Sequence, residues 1–160
     1  MSVAAVAEVG SRRERAWALL DRVLDPEVPV VSVRDLGIVR DVVEDDHGAL
    51  TVVVTPTYSG CPATEAIEAS IVAALEEGGL GPVRIELRRA PAWTTDWMSE
   101  NGRRRLREYG IAPPGPVGVP AAAPLRFVPR PPKALACPRC ASLETERISA
   151  FGATACKALW

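Results

Sequence analysis

The fold is decided by residues 50–75, which read Leu50-Thr-Val-Val-Val-Thr55, then Pro56-Thr-Tyr-Ser-Gly-Cys61-Pro62, then Ala63-Thr-Glu-Ala-Ile-Glu-Ala-Ser-Ile-Val-Ala-Ala-Leu75. The first part is an apolar run rich in β-branched residues, which is typical of a buried strand. The last part repeats apolar residues at helical spacing. Because proline suits the first position of a helix, the sequence predicts that this helix begins at Cys61.

Cys61 is the candidate functional residue of this corner. A thiol at a helix N-terminus lies beside unpaired backbone N–H groups and the positive end of the helix dipole, and both favour the thiolate. The thiolate is the form that binds metal or attacks an electrophile. Gly60, which has no side chain, lets a partner approach closely. The structural alternative is that Cys61 is a small buried filler between strand and helix, and position alone does not decide between the two.

The composition limits the kinds of partner that the protein can have. With 160 residues, the chain is long enough for one domain with a good core and an appendage. Charged residues make up 24% of it and the formal net charge is -1, so we expect neither nucleic acid nor an anionic membrane as partner. The N-terminus lacks the basic start and long apolar run of a signal peptide, and no segment reaches transmembrane length. We therefore expect a cytoplasmic protein.

The cysteines and the single histidine limit the kinds of chemistry that we expect of the protein. The 4 cysteines include a Cys-x-x-Cys pair, which in a reducing compartment indicates metal or thiol chemistry more than structural disulfides. The one histidine, His47, lies in Asp45-Asp46-His47-Gly48, a sequence typical of a hairpin turn. A catalytic triad or a zinc hydrolase needs histidine in its site, so we expect neither class here.

The first helix and the loop after it have clear sequence signals. Ser11 and Glu14 have capping-box spacing, and apolar residues follow at helical spacing as far as Leu24. The string Asp25-Pro-Glu-Val-Pro29 then stops the helix, because its two prolines forbid continuation. Asp25 and Glu27 are either solvated loop charges or acidic groups that face a bound metal or partner, and the sequence leaves both open.

The strands complete a small domain. Two β-rich runs, residues 36–43 and 50–55, are joined by a short turn and predict a hairpin. After the Cys61 helix, residues 83–87 alternate as a third strand. The order α-β-β-α-β predicts a two-layer α+β domain over residues 11–110, preceded by a flexible segment at residues 1–10.

A segment dense in large side chains follows the third strand. It contains Trp93 and Trp97 with Asp96 between them, and then a cluster of arginines that includes Arg103 and Arg104. Tryptophans this close together either cover the sheet edge or the Cys61 corner as core, or serve to dock a partner. The arginines are either a solvated helix face or a surface for an acidic partner. We expect the five named residues to be the candidate docking group.

The last part of the chain differs in composition. Residues 111–134 are rich in proline without any period, which predicts a semi-rigid linker. The tail, residues 135–160, contains Cys137 and Cys140 as a Cys-x-x-Cys knuckle, followed by Cys156. A zinc ribbon needs two such pairs, so these three cysteines predict an incomplete zinc site in a ribbon that we expect to be truncated. The alternative is a set of ordinary thiols in a frayed tail.

Six strings together resemble a known family. They are Asp25-Pro-Glu-Val-Pro29, Asp35-Leu-Gly-Ile-Val39, Thr55-Pro-Thr-Tyr-Ser-Gly-Cys-Pro-Ala-Thr64, Trp93-Thr-Thr-Asp-Trp97, Tyr109-Gly-Ile-Ala-Pro-Pro114 and Phe151-Gly-Ala-Thr-Ala-Cys-Lys-Ala-Leu159. In these the chain resembles the PaaD (PaaJ) family, accessory proteins of the bacterial phenylacetyl-CoA epoxidase system in phenylacetate catabolism. The Asp-Pro-Glu and Gly-Cys-Pro strings resemble a wider superfamily that includes SufT and the cytosolic iron-sulfur targeting proteins.

The resemblance implies a role in iron-sulfur protein maturation, with Cys61 as the functional thiol that transiently holds iron or a cluster. Supporting roles are expected for residues near it, namely Asp25, Glu27, Thr57 and Ser59. The implied partners are the iron-sulfur reductase component and the other subunits of the epoxidase. One thiol cannot house a cluster alone, so either a homodimer brings two Cys61 residues together or the client completes the ligand set.

Three functions therefore compete at this stage. The preferred one is a non-catalytic factor that assists iron-sulfur cluster assembly or insertion in the epoxidase reductase. The second is a structural or docking subunit of the oxygenase complex that needs no metal. The third is a thiol enzyme with Cys61 as nucleophile, which ranks last because His47 would have to fold onto the site to act as base.

Overall fold

A computed structural model describes residues 10–117, 134–154 and 156–160. The elements are α1 (Arg12–Leu20), β1 (Val39–Glu44), β2 (Leu50–Val54), α2 (Thr64–Glu77), β3 (Val83–Leu87), a short 3₁₀ turn (Thr95–Trp97) and α3 (Glu100–Tyr109). The predicted order α-β-β-α-β is confirmed. The predicted flexible segment at residues 1–10 and the predicted linker at residues 111–134 fall largely outside the described residues.

The three strands form one sheet in the order β1-β2-β3. The hairpin pairs β1 and β2 in antiparallel fashion, whereas β2 and β3 run parallel because α2 crosses between them. Both helices pack on the same face of the sheet. The shared core consists of the buried apolar residues Ala16, Leu20, Val23, Val33, Ile38, Val39, Val42, Leu50, Val52, Val54, Ala63, Ile67, Ile71, Leu75 and Leu80. The predicted two-layer α+β class is confirmed.

Helix α1 begins where the sequence predicts and ends earlier. The capping box is present, with the Ser11 hydroxyl accepting from the Glu14 N–H and the Glu14 carboxylate accepting from the Ser11 N–H. The helix stops at Leu20, however, and Leu24 forms a bridge with Ser32 instead of a last helical turn. Backbone pairing with the returning chain has replaced the helical bonds here, so periodicity alone overestimated the helix length.

A second, smaller core fastens α3 to the domain. It consists of the buried residues Val28, Val31, Met98 and Leu106, with Trp93, Leu36, Val30 and Ile111 packed against them. Helix α3 ends at Gly110, whose positive φ of 97° suits a residue without a side chain. The segment with the two tryptophans therefore continues the folded domain beyond the third strand.

Candidate thiol site at the strand and helix corner

The corner after β2 carries Cys61, but the helix does not begin there. Helix α2 begins at Thr64, and its first helical bond runs from the Ile67 N–H to the Ala63 carbonyl at 2.9 Å. The Cys61 carbonyl instead accepts from the Thr64 N–H at 3.3 Å and from the Thr64 hydroxyl at 2.9 Å. This closed turn corrects the prediction that the helix starts at Cys61. The effect of the helix dipole falls off within a turn. Because Cys61 precedes the first helical residue by three positions, the dipole favours its thiolate less than the sequence suggested.

The Cys61 side chain is half-buried, with its inner side against the main core. Its thiol is free. The Cys61 N–H donates to the Tyr58 carbonyl at 3.4 Å. Cys61 is thus neither a sealed core filler nor a fully exposed thiol. The core fixes the inner side of the Cys61 side chain, and its outer side remains accessible to solvent.

Tyr58 is half-buried and lies on the turn that leads to Cys61. Desolvation raises the pKa of its phenol, and the neighbouring Cys61, Cys156 and Glu27 groups raise it further. A phenol in this setting keeps its proton and can donate it in a hydrogen bond to a thiolate. Sequence reasoning did not select Tyr58, although it lies three residues before Cys61 in the Thr-Tyr-Ser-Gly-Cys string.

The tail contacts the acidic loop at Glu27. The Cys156 sulfur is 3.0 Å from the Thr154 hydroxyl oxygen. The adjacent Lys157 ammonium donates to the Glu27 carbonyl oxygen at 3.5 Å. Sequence reasoning assigned Cys156 to the zinc set of the tail, and nothing in the spacing of residues 135–160 indicated that the adjacent Lys157 would contact the Glu27 loop.

The acidic loop next to the corner has a structural role. Asp25 is only 7% exposed, and its Oδ1 accepts from the N–H groups of Glu27 and Val28 at 2.8 Å each. That oxygen therefore organises the loop, which is neither of the two roles considered from sequence. Glu27 is exposed, and its charge contributes to the raised pKa of the Tyr58 phenol. Thr57, half-buried, and Ser59, exposed, lie on the turn that precedes Cys61, and a supporting role for them stays a prediction.

Cys137 and Cys140 form a knuckle at the start of the tail. The backbone N–H groups of Arg139 and Cys140 hydrogen-bond to the Cys137 sulfur, and these bonds lower the pKa of the Cys137 thiol. A turn whose N–H groups point at the first sulfur suits a pair of thiolates on one tetrahedral zinc ion. Within the described part of the chain, however, no three His, Cys, Asp or Glu side chains are grouped as a metal site. Cys137 and Cys140 thus fit half of a zinc site, and Cys156 does not join them there.

The predicted docking residues have internal contacts. The Trp93 indole N–H donates to the Leu36 carbonyl at 2.9 Å, and the Trp97 ring lies under the Arg40 guanidinium, whose central carbon is 3.5 Å from the ring centroid. The Asp96 carboxylate accepts from the Val117 N–H at 3.1 Å.

The two arginines of the predicted docking group differ in their exposure and in the groups that they contact. The Arg103 side chain is only 13% exposed and donates to the carbonyls of Pro114 at 2.6 Å and Thr95 at 2.5 Å. The exposed Arg104 pairs with Glu108 on its own helix at 2.8 Å. Trp93 and Arg103 therefore have structural roles of their own, and a docking role for these residues stays a prediction.

Comparisons with known proteins agree with this architecture. A family model described as "Iron-sulfur cluster assembly protein" matches residues 13–87, and one described as "PaaD zinc beta ribbon domain" matches residues 121–160. The crystal structure of a domain of unknown function DUF59 from Bacillus anthracis superposes with a TM-score of 0.56 at 26% identity, covering 59% of this chain and 91% of that one. A conserved hypothetical protein from Thermotoga maritima superposes with a TM-score of 0.50 at 29% identity, covering 66% and 98%.

Two relatives are similar along most of their length. One is the Escherichia coli (strain K12) protein named as a subunit of a "Putative 1,2-phenylacetyl-CoA epoxidase", which is 50% identical over 144 residues, or 90% of this chain and 82% of the relative. The other is the "Fe-S protein maturation auxiliary factor" of Porphyromonas gingivalis (strain ATCC BAA-308 / W83), which is 37% identical over 89 residues, or 55% of this chain and 84% of the relative.

Fold, site and matches together define the class, which is an iron-sulfur cluster assembly domain followed by a zinc β ribbon domain. Within that class the chain belongs to the PaaD family, as the sequence strings indicated. Among the described residues, no helix is both long and apolar enough to cross a membrane.

Proposed function

We propose that this protein is a non-catalytic accessory factor that assists iron-sulfur cluster assembly or insertion in the reductase component of a phenylacetyl-CoA epoxidase. The cluster, or iron alone, is its cargo, and Cys61 is the thiol that holds it. The observation that carries the proposal is the setting of Cys61, a free, half-buried thiol that packs against the core and directly follows the exposed residues Ser59 and Gly60. Similarity to maturation auxiliary factors supports the same role.

The geometry suits a carrier because it fixes the sulfur without enclosing it. The core behind Cys61 sets the position of the sulfur, while Gly60 and Ser59 on the preceding turn are exposed and leave room for a client. Soft thiolates are the ligands that iron-sulfur clusters use. A partial ligand set of this kind binds weakly enough for the cargo to pass to a client that offers the remaining ligands.

A thiol enzyme is a poorer fit to the same site. His47 lies in the turn before β2, where its backbone N–H donates to the Asp45 carboxylate at 2.9 Å. Cys61 follows the other end of β2, and a strand of this length separates the two ends by roughly 15 Å. His47 therefore cannot reach Cys61 to act as its general base.

The second candidate, a docking subunit without cargo, is favoured by one observation. The tail exposes several large apolar side chains, among them Ile148 at 78% and Phe151 at 65%. An exposed apolar group of this kind marks a contact surface for another protein. If docking were the whole function, removing the Cys61 sulfur would have no effect.

The experiment that separates the two is anaerobic reconstitution of the full chain with ferrous iron and sulfide. Absorption spectra would report cluster loading, and transfer to the apo-reductase would report delivery. We expect Cys61→Ser to lose both, while Cys140→Ser, a matched change in the tail knuckle, keeps both. Equal loading and delivery by wild type and Cys61→Ser, or no loading by either, would contradict the carrier proposal and leave the docking role as the better account.

A further inference from the structure

The third strand, β3, leaves one edge of the sheet open. In the described part of the chain it pairs with β2 alone. At the two ends of this pairing, the Pro82 carbonyl accepts from the Leu50 N–H at 3.1 Å and the Arg88 N–H donates to the Val54 carbonyl at 2.8 Å. Because the backbone groups of successive strand residues point to opposite sides, the even-numbered residues of this segment bond toward β2. The odd-numbered residues therefore point their N–H and C=O groups away from β2, and these residues are Val83, Ile85 and Leu87.

The side chains of β3 also leave this edge partly uncovered. Val83 and Ile85 are half-buried against the main core, and Leu87 is 37% exposed. Arg84 and Glu86 alternate with them and are exposed on the other face of the sheet. Natural proteins commonly protect an open edge with charges that repel a second strand, or with proline or a bulge. Here the two charges have opposite signs, so they do not exclude a second copy of the same strand.

Strand β3 is complementary to itself when it is read in the opposite direction. If a second copy pairs antiparallel with Ile85 opposite Ile85, Val83 lies opposite Leu87 and Arg84 lies opposite Glu86. The outward backbone groups then bond to those of the second copy, and the charged residues fall at the positions between these bonds, where opposite side chains lie closest. Opposite charges at such positions are stabilising, and two-fold symmetry forms the ion pair twice.

The charges also select this register among its neighbours. A shift of two residues in one direction places Arg84 opposite Arg84, and the same shift in the other direction places Glu86 opposite Glu86. Like charges directly opposite each other are destabilising. A shift of one residue turns the apolar side chains of one copy to the charged face of the other. Pairing centred on Ile85 is therefore the register that satisfies both faces.

We propose that the protein forms a homodimer through antiparallel pairing of β3 with β3 of a second copy, centred on Ile85. The sheets of the two copies then continue into each other. The apolar side chains at this edge meet their counterparts and lose the exposure that they have in one copy alone. Glu86 already pairs with Arg88 of its own chain at 2.6 Å, and its carboxylate has acceptor capacity for the partner's Arg84 as well.

The dimer keeps the two Cys61 sites apart, a consequence that rests on the proposed function for its meaning. Cys61 follows the carboxyl end of β2, and antiparallel pairing directs the strands of the two copies in opposite directions. Val54 is level with Leu87. With strands about 4.8 Å apart and a rise of about 3.3 Å per residue, the two Val54 residues lie roughly 20 Å from each other. The copies therefore carry separate cargo sites, and the client is left to complete each ligand set.

The first test is sedimentation equilibrium of the full-length apo protein over a range of concentrations. We expect wild type to show a monomer–dimer equilibrium. Arg84→Glu and Glu86→Arg each create like-charged pairs twice per dimer, so each should raise the dimer dissociation constant roughly tenfold or more. The double variant Arg84→Glu/Glu86→Arg restores opposite charges in both pairs and should recover most of the wild-type affinity. Arg22→Glu, an exposed residue in the turn after α1, is the matched charge-reversal control and should behave like wild type.

Three results would overturn the proposal. They are a wild-type protein that is monomeric at every concentration, single variants that dimerise as well as wild type, and a double variant that is no better than the singles. Circular dichroism spectra would confirm that all variants are folded.

The second test reads the edge directly by amide hydrogen exchange, followed by nuclear magnetic resonance. In dimeric wild type, the outward N–H groups of Val83, Ile85 and Leu87 should be protected, and Glu86→Arg should lose this protection at the same concentration. The Arg84 N–H, which bonds toward β2, should be protected in both. Fast exchange of the outward groups in a dimeric wild-type protein would overturn this interface.

Iron bound per chain by the same two proteins tests the separate cargo sites. We expect equal loading, since each copy holds its own cargo. Loading that is lost only in Glu86→Arg would show that the copies share one cluster and would overturn the separation of the sites. If neither protein binds iron, the carrier function fails, and the sedimentation and exchange results still decide the dimer.

Discussion

The Ser99 hydroxyl donates a 2.6 Å hydrogen bond to Oδ1 of Asp35 and so ties the start of α3 to the loop before β1. Asp35 is only 8% exposed. Its carboxylate also accepts from the Asn101 amide at 3.2 Å, and its backbone carbonyl accepts from the Ser99 N–H at 2.8 Å. The same Ser99 oxygen caps α3 by accepting from the Gly102 N–H at 2.9 Å. Ser99 therefore both caps α3 and attaches it to the rest of the domain.

Removing this hydroxyl should loosen α3. We expect Ser99→Ala to lower the free energy of unfolding by about 1 to 2 kcal/mol, since it removes an N-cap and leaves a buried carboxylate short of a donor. Urea unfolding followed by circular dichroism would measure the loss. Ser70→Ala is the matched control, because the Ser70 hydroxyl bonds only to a carbonyl on its own exposed helix face. Equal stabilities for the two variants would contradict the role assigned to Ser99.

The same contact predicts how stability depends on pH. Burial raises the pKa of Asp35, but hydrogen bonds from Ser99, Asn101 and Ser32 and the Arg105 charge outweigh it, so the net shift is downward. A carboxyl whose pKa is lower in the folded state stabilises the fold above its unfolded pKa of about 3.9 and loses that contribution as the pH falls through the folded pKa.

We therefore expect the stability difference between wild type and Asp35→Asn to be constant from neutral pH down to about 4 and to shrink below it. Urea unfolding at a series of pH values would measure both proteins. A difference that stays the same into the acid range would mean that the Asp35 charge contributes nothing.

Much of the domain could be predicted from local patterns. The capping box at Ser11, the hairpin turn around His47 and the strand and helix on either side of Cys61 are all local signals, and all three led to the right elements. The errors arose where a competing hydrogen bond, which periodicity does not reveal, decides where an element begins or ends. Leu24 leaves its helix because Ser32 pairs with it, and Thr64 closes a turn with Cys61 that delays the start of α2.

The composition of the candidate site was harder to predict, because contacts define it and spacing does not. Cys61 could be selected from its place between a strand and a helix, but Tyr58 has no distinctive spacing and is identified only by its contacts. The position of Cys156 depends on the path of the tail, which no periodic pattern encodes. The Cys-Lys-Ala-Leu string indicated the family, but it gave no information about the position of the Cys156 sulfur in the structure.

Gly37 provides a test of how closely the tryptophan segment packs on the domain. Its φ is +70°, and a Cβ atom there would collide with the Trp97 carbonyl oxygen. Gly79 has a similar φ of +74° with nothing within 4 Å. The two positions share a left-handed backbone, but Gly37 is buried and would meet this collision, whereas Gly79 is exposed and would meet none.

We expect Gly79→Ala to cost about 1 kcal/mol of stability through strain alone. Gly37→Ala should add a collision worth about 1 to 3 kcal/mol to that strain. Urea unfolding of the two variants beside wild type isolates the collision as their difference. Losses of the same size in both would show that Trp97 moves away from Gly37 at little cost.

We predict that Tyr58 governs how long the cargo stays bound. It shares a turn with Cys61, and a phenol with a raised pKa keeps a proton that it can donate to a cargo-bound sulfur, so the Tyr58→Phe change removes only that donor. Residues that hydrogen-bond to metal ligands typically contribute roughly tenfold or more to metal affinity, so we expect the loaded Tyr58→Phe protein to lose its cluster to a chelator roughly tenfold faster than wild type. Absorption spectroscopy during the chelator challenge would give the rates. Tyr109→Phe, a change at a half-exposed tyrosine on α3, is the control and should match wild type. If Tyr58→Phe releases its cluster at the wild-type rate, the hydroxyl has no part in holding the cargo.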